Sequence, residues 1–214
     1  MSELESPNAS RAAVNSPNTS SRLRLTYAFY LALAAVTAIA GRPDPLSPLS
    51  SHAINCLALL LVITACLGRV WCSAFIGGYK NAALIMDGPY SIARHPLYSF
   101  SWIGAVGLGV ATHSFTLTLV TAVFIAALLS LSARREDEFL SQAYGDHFAD
   151  YARTTPRFWP RWRSYRVAES VHIKPAILRK SFLDAGAFVL LYLAIDTLRV
   201  LRETGALPTF CKIP

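Results

Sequence analysis

Apolar runs of helical length recur along this chain, and they restrict its fold more than any other feature. Leu23 to Ala40 is apolar apart from Arg24 and a few small polar residues. A second run extends from His52 to Val70, keeps its character to Ile76, and stops at Gly77-Gly78. Pro96 to Ala111 and Phe115 to Leu131 follow, parted only by Thr112-His113-Ser114. Phe182 to Val200 is the last, interrupted by Asp184 and Asp196. A helix needs about 20 apolar residues to cross a bilayer. Only 15% of the residues are charged, against about a quarter in soluble domains. The expected fold is therefore all-α: a polytopic integral membrane helical bundle of about five transmembrane helices. The third and fourth runs, joined by so short a turn, form a helical hairpin. Gly104, Gly107 and Gly109 would let its two helices approach closely.

The remaining sequence divides around these runs. Residues 1–21 are rich in Ser, Asn and Pro and read as a disordered tail, not a secretory signal. Residues 22–166 form the membrane core, and residues 167–214 a C-terminal extension with one further span. At Ala133 the character changes. Arg134 to Glu138 opens a polar stretch in which Phe139, Leu140, Ala143, Tyr144, Phe148 and Tyr151 keep helical spacing. This predicts an amphipathic helix at the membrane surface, ended by Pro156 and Pro160. Beyond it, Arg157, Arg161, Arg163 and Arg166 alternate with Phe158, Trp159, Trp162 and Tyr165. That mixture suits the lipid headgroup region.

A net charge of +7 raises two partners, nucleic acid and anionic membrane. The charge follows the apolar runs, which selects the membrane. Basic residues also set orientation. Arg11, Arg22 and Arg24, then Lys80 and Arg94, then Arg134, Arg135 and the arginine cluster share one side when the N-terminus is cytoplasmic. The four cysteines, Cys56, Cys66, Cys72 and Cys211, include no CxxC pair, so neither a disulfide framework nor a metal site is expected.

Between the second and third runs lies "GPYSIARHPLYSF", Gly88 to Phe100. Pro96 suits the first turn of a helix and biases His95 away from helical geometry. Arg94 and His95 thus precede a helix terminus whose unpaired amides attract carboxylates and phosphates. If the next two runs are a hairpin, Arg134 to Glu138 emerges beside this motif, and the two clusters form one charged pocket at the bilayer edge.

Taken in order, G-x-Y, R-H-P-x-Y, E-x-x-x-L, Y-G-x-x-F and Y-x-x-x-x-P fall on Gly88 and Tyr90, on Arg94 through Tyr98, on Glu136 and Leu140, on Tyr144 through Phe148, and on Tyr151 and Pro156. Over roughly residues 50–160 this set resembles the isoprenylcysteine carboxyl methyltransferase family of membrane enzymes, whose pattern phospholipid N-methyltransferases share. The resemblance implies S-adenosylmethionine as cofactor, held at the cytoplasmic face of a bacterial inner membrane. It implies cofactor contacts from Ala82, Ala83, Leu84 and Ile85, from Tyr90, from His95, Pro96, Leu97 and Tyr98, and from Glu136. Arg94 is added on its chemistry as a donor to the cofactor's carboxylate. An arginine one turn before the glutamate meets the substrate in the eukaryotic enzymes, and here that spacing gives Ser132. Arg134 or Arg135 is therefore expected to hold an anionic acceptor, and His95 would be the base if the acceptor were an amine.

The expected activity is methyl transfer to a lipophilic acceptor, a prenylated thiol acid or a lipid, with the carboxylate preferred. Lipid-amine N-methylation is the first alternative. A non-catalytic protein that binds anionic lipid through its arginines is the second.

Overall fold

A computed structural model of the chain describes residues 19–41, 47–76, 84–167, 170–171, 173–208 and 210–212. The expected tail, residues 1–21, lies outside these apart from its last three. The described residues form helices α1 (Thr19–Ile39), α2 (Pro48–Ile76), α3 (Pro89–Ile92), α4 (Pro96–Ala111), α5 (Phe115–Tyr144), α6 (Asp146–Thr154) and α7 (Pro175–Glu203), with a single 3-10 turn at Trp162–Ser164. Two-residue strands β1 (Ala40–Gly41) and β2 (Cys211–Lys212) pair in parallel. The architecture is an all-α membrane bundle.

Helices α2, α5 and α7, of 29, 30 and 29 residues, are long and apolar enough to cross a membrane. At 1.5 Å per residue each reaches about 44 Å, beyond the roughly 30 Å of hydrocarbon. Arg24–Ile39 and Pro96–Ala111 are shorter apolar helices. All five apolar runs are thus helical.

The described chain divides into two compact units. One comprises Thr19–Cys66, Ser101–Leu128 and Asp184–Pro214. Its packing follows lipid logic: along α2, Ala58, Val62 and Ala65 are buried while Leu57, Leu60 and Ile63 are exposed. With hydrocarbon outside, small residues bring helices together and large ones face the lipid.

The hairpin turn between α4 and α5 lies in this unit and is built from side chains. Ser114 caps α5 by accepting from the Leu117 amide at 3.2 Å. Thr112 Oγ1 donates back to Gly109 O at 2.7 Å. His113 takes a left-handed φ of 59°, and its Nε2 meets Asn55 Oδ1 of α2 at 2.7 Å. The glycines of α4 divide their work. A Cβ on Gly109 would lie 2.8 Å from the Thr118 backbone of α5, whereas one on Gly107 would lie 2.9 Å from Leu61 of α2. Only the first serves the hairpin.

The acidic residues of the last run find separate solutions. Asp184 is exposed. Asp196 pairs with the buried Arg199 at 2.6 Å, and Arg199 also holds Glu203 at 2.7 Å. Arg202 is buried and donates to Thr37 O and Ala40 O, where α1 runs out of internal donors. Phe210 N adds a bond to Ile39 O at 3.0 Å.

The second unit holds Leu67–Phe100 and Leu129–Leu183. It differs from the expectation at Ala133. No new helix starts there, because α5 continues to Tyr144. The break falls at Gly145, whose φ of 52° only glycine adopts readily, and α6 follows it. The expected amphipathic helix is thus the end of α5 plus α6. Leu140 and Ala143 of α5 pack with Phe148 and Tyr151 of α6 in one cluster.

Candidate active site

The site lies within this second unit and begins at a glycine that no other residue could replace without strain. Gly88 has φ 58°, and a Cβ there would come within 2.2 Å of Phe75 near the end of α2. From Gly88 the chain makes the short helix α3, passes through an extended Ala93 and bends at Arg94 and His95 into Pro96. Residues 156–166 are stitched along it. Arg94 N and His95 N donate to Pro156 O and Arg157 O at 2.8 and 3.0 Å, and Arg161 N donates to Ile92 O at 2.9 Å. Gly88 N reaches Arg166 O at 2.9 Å. Ser99 Oγ in the first turn of α4 donates to Phe158 O at 2.9 Å. Tyr151 Oη holds Tyr90 O at 2.7 Å. His95 sits just ahead of α4, so its amide has no partner in the helix ladder and is available for this bonding.

His95 is enclosed between two carboxylates of α5. Its Nε2 lies 2.7 Å from Asp137 Oδ1, and its Nδ1 3.6 Å from Glu136 Oε2. The His95 side chain is only 4% exposed. Burial works against a charged ring, but the hydrogen bonds and charges of Asp137 and Glu136 outweigh it and raise the His95 pKa above its ordinary 6.5. Tyr98, three residues on, stacks on the His95 ring at 5.5 Å and donates to Glu136 Oε2 at 2.8 Å.

Asp137 is the hub. Besides His95 it accepts from Arg157 Nε and Nη2 at 3.0 and 2.8 Å, and Arg94 Nη1 stands 3.6 Å away. The Arg94 guanidinium also lies over the Phe148 ring, 5.9 Å from its centroid. Two polar atoms here are buried with no hydrogen-bond partner among the described residues: the Tyr90 hydroxyl and Arg94 Nε. Burial raises the Tyr90 phenol pKa well above 10.0, so it stays a neutral donor.

The structure therefore brings together Arg94, His95, Tyr98 and Glu136, with Pro96 and Leu97 in the same first turn of α4 and Tyr90 in the same unit. Leu84 packs against the Tyr144, Phe148 and Tyr151 cluster, and Ile85 is half-buried beside it in sequence. Ala82 and Ala83 lie outside the described residues. Arg134 and Arg135 are exposed and stand apart from the hydrogen-bonded cluster. Sequence reasoning gave no role to Asp137 and placed Arg157 with the headgroup arginines, whereas its guanidinium is held by Asp137. The available signal was the acidic pair Glu136-Asp137: neighbours on a helix turn about 100° apart, which lets Asp137 meet one ring nitrogen while Glu136 meets the tyrosine and the other side of the ring.

A membrane helical bundle thus carries a cluster of one histidine, two carboxylates and two arginines. The phospholipid methyltransferase family matches residues 53–147, and the chain belongs to this family of membrane methyltransferases. It is 35% identical over 164 residues to the nickel-cobalt-cadmium resistance protein NccN of Alcaligenes xylosoxydans xylosoxydans, covering 77% of this chain and 76% of that one. It is 36% identical to the cobalt-zinc-cadmium resistance protein CzcN of Cupriavidus metallidurans, covering 71% and 69%. It is also similar to the protein-S-isoprenylcysteine O-methyltransferase of Schizosaccharomyces pombe, 29% identical over 36% of this chain and 33% of that one. No solved structure gives a significant match.

Proposed function

We propose that this chain transfers a methyl group from S-adenosylmethionine to a lipophilic carboxylate at the cytoplasmic face of a bacterial inner membrane. The carrying observation is His95 held between Asp137 and Glu136. Both ring nitrogens face carboxylates, and these raise the His95 pKa above its ordinary value, which favours the ring as a donor over a base. An acceptor carboxylate needs no base, being ionised already at pH 7. An amine acceptor would need one.

The residues fit the cofactor's chemistry. Arg94 Nε and the buried Tyr90 hydroxyl are donors awaiting an acceptor, and the side chain of Glu136, 36% exposed, offers a counter-charge to a cation. When bound, S-adenosylmethionine supplies a methyl group on a sulfonium that departs as a neutral thioether. What the chain must add is alignment, and the stacked His95 and Tyr98 rings, pinned by Glu136, give a rigid edge for it. Arg134 and Arg135, exposed beside Glu136, are assigned to the anionic group of the acceptor.

The relatives NccN and CzcN are named for resistance to metals. Among the described residues no three His, Cys, Asp or Glu side chains cluster to hold an ion. A part in metal tolerance would come, on this reading, from methylating a membrane component. Calorimetric titration of the detergent-solubilised chain with S-adenosylmethionine tests the reading: saturable binding lost in His95→Ala and Glu136→Ala is expected. Labelled methyl transfer to extracted membranes should give base-labile label. Base-stable label would shift the acceptor to an amine, and no binding at millimolar cofactor would end the proposal.

A further inference from the structure

Arg157 to Val167 contains four arginines, three large aromatic residues besides Phe158, and no acidic residue. Its outer surface is unusual for a water-facing loop. Trp159 is 78% exposed and Trp162 65%, and Tyr165 and Val167 are exposed beside them. Arg161 and Arg163 are exposed, and neither has a carboxylate within ion-pair distance among the described residues. Arg166 is 4.0 Å from Asp87, a loose contact.

The depth of this stretch is fixed by its neighbours. The Tyr165 ring lies 6.2 Å from that of Trp71, one turn and a half before the end of α2. Phe158 O is held by Ser99 in the first turn of α4. The stretch therefore sits level with the ends of two apolar helices. Its backbone is also preformed, since Arg161 N and Arg166 O are bonded to Ile92 O and Gly88 N. Indole rings favour the membrane-water interface, and guanidiniums there attract anionic headgroups.

We propose that residues 157–167 are a preformed dock for the headgroups of anionic lipids, with Trp159 and Trp162 set into the interface and Arg161 and Arg163 meeting lipid phosphate. This assignment does not depend on methyl transfer. Free phosphate would satisfy the arginines but not the indoles, which favours lipid over a soluble anion. Each arginine near an anionic surface is worth about fivefold in partitioning. Losing both should lower the preference for anionic lipid by about 25-fold, on the same basis.

The test uses the full chain in phosphatidylcholine proteoliposomes containing traces of tail-labelled pyrenyl phosphatidylglycerol or pyrenyl phosphatidylcholine. Energy transfer from tryptophan reports which lipid gathers at the protein. Preferential transfer to phosphatidylglycerol, weakened by salt and lost in Arg161→Gln/Arg163→Gln but kept in Arg161→Lys/Arg163→Lys, is expected. Equal transfer to both lipids by the unmodified protein would overturn the proposal, whether or not the glutamine pair folds. So would a preference that survives the glutamine pair, or one abolished by excess soluble poly-glutamate, which would mark a soluble acidic partner instead.

Discussion

Asp137→Asn should be the most informative single change in this protein. The carboxylate accepts from His95 and twice from Arg157, and Arg94 stands at 3.6 Å. Its side chain is 11% exposed. Removing one partner of a buried ion pair costs about 3–5 kcal/mol. Several features reduce that here. Asparagine keeps the shape and one acceptor oxygen, Arg157 is 37% exposed and can turn to water, and Glu136 remains as a second counter-charge. About 2 kcal/mol is the reasonable expectation. For a chain near this size that lowers the unfolding midpoint by about 4–8 °C, measured by tryptophan fluorescence in detergent.

The pH dependence supplies the sharper half of the test. His95 has a raised pKa in the folded state, so its protonation stabilises the fold. That contribution is fully present below the unfolded value of 6.5 and is lost as pH rises through the folded value. In the asparagine variant burial is opposed mainly by Glu136, and the His95 pKa should fall. Acidification from about pH 8 to pH 6 should then stabilise the variant less than the parent, or destabilise it. An unfolding midpoint within about 1 °C of the parent, with an unchanged pH profile, would refute the claim that Asp137 organises the cluster.

Gly88→Ala should destabilise by about 3 kcal/mol, since φ is 58° and the new Cβ would meet Phe75 at 2.2 Å; thermal unfolding reads the loss, and S-adenosylmethionine affinity should fall with it. Tyr151→Phe removes the donor to buried Tyr90 O, and a loss of about 1–2 kcal/mol in the same assay is expected. Arg134→Gln/Arg135→Gln should raise the KM for the acceptor and leave S-adenosylmethionine affinity unchanged, because both arginines stand outside the His95 cluster; an unchanged KM would remove them from the acceptor site.

Helix positions were legible because lipid demands long uninterrupted apolar runs. Pro96–Ala111 matches its run end to end, since Pro96 opens the helix and Thr112-His113-Ser114 closes it. The end of α5 was not legible in the same way. Polarity changes at Ala133, but leaving the hydrocarbon does not break backbone hydrogen bonds, and Arg, Glu, Phe and Leu all propagate a helix. Gly145 breaks it, where the expected amphipathic helix had run on to Pro156. The juxtaposition of His95 with Glu136 followed from the hairpin. The role of Asp137 did not, because hairpin topology brings two segment ends together without fixing which helix face turns inward. The clasp between residues 88–95 and 156–166 was hidden for another reason: its bonds run almost entirely through the backbone, which leaves no side-chain signature.

That backbone clasp bears on how so many charged groups can converge beside apolar helices at all. Arg94, Arg157 and His95 converge on Asp137 and Glu136. Such a group is costly to desolvate unless its geometry is held. Side chains alone hold it poorly, since long arginines lose rotamer freedom on pairing. Here the peptide units of Arg94, His95 and Arg157 are themselves engaged: the Arg94 amide bonds to Pro156 O, and the His95 amide to the carbonyl of Arg157. Ordering the backbone has already set three of the five charged groups in place, so less entropy remains to be lost when their side chains pair. The arrangement also makes Pro156 more than a helix terminator. It cannot continue α6, and its carbonyl, freed from any helix, becomes the acceptor that positions Arg94.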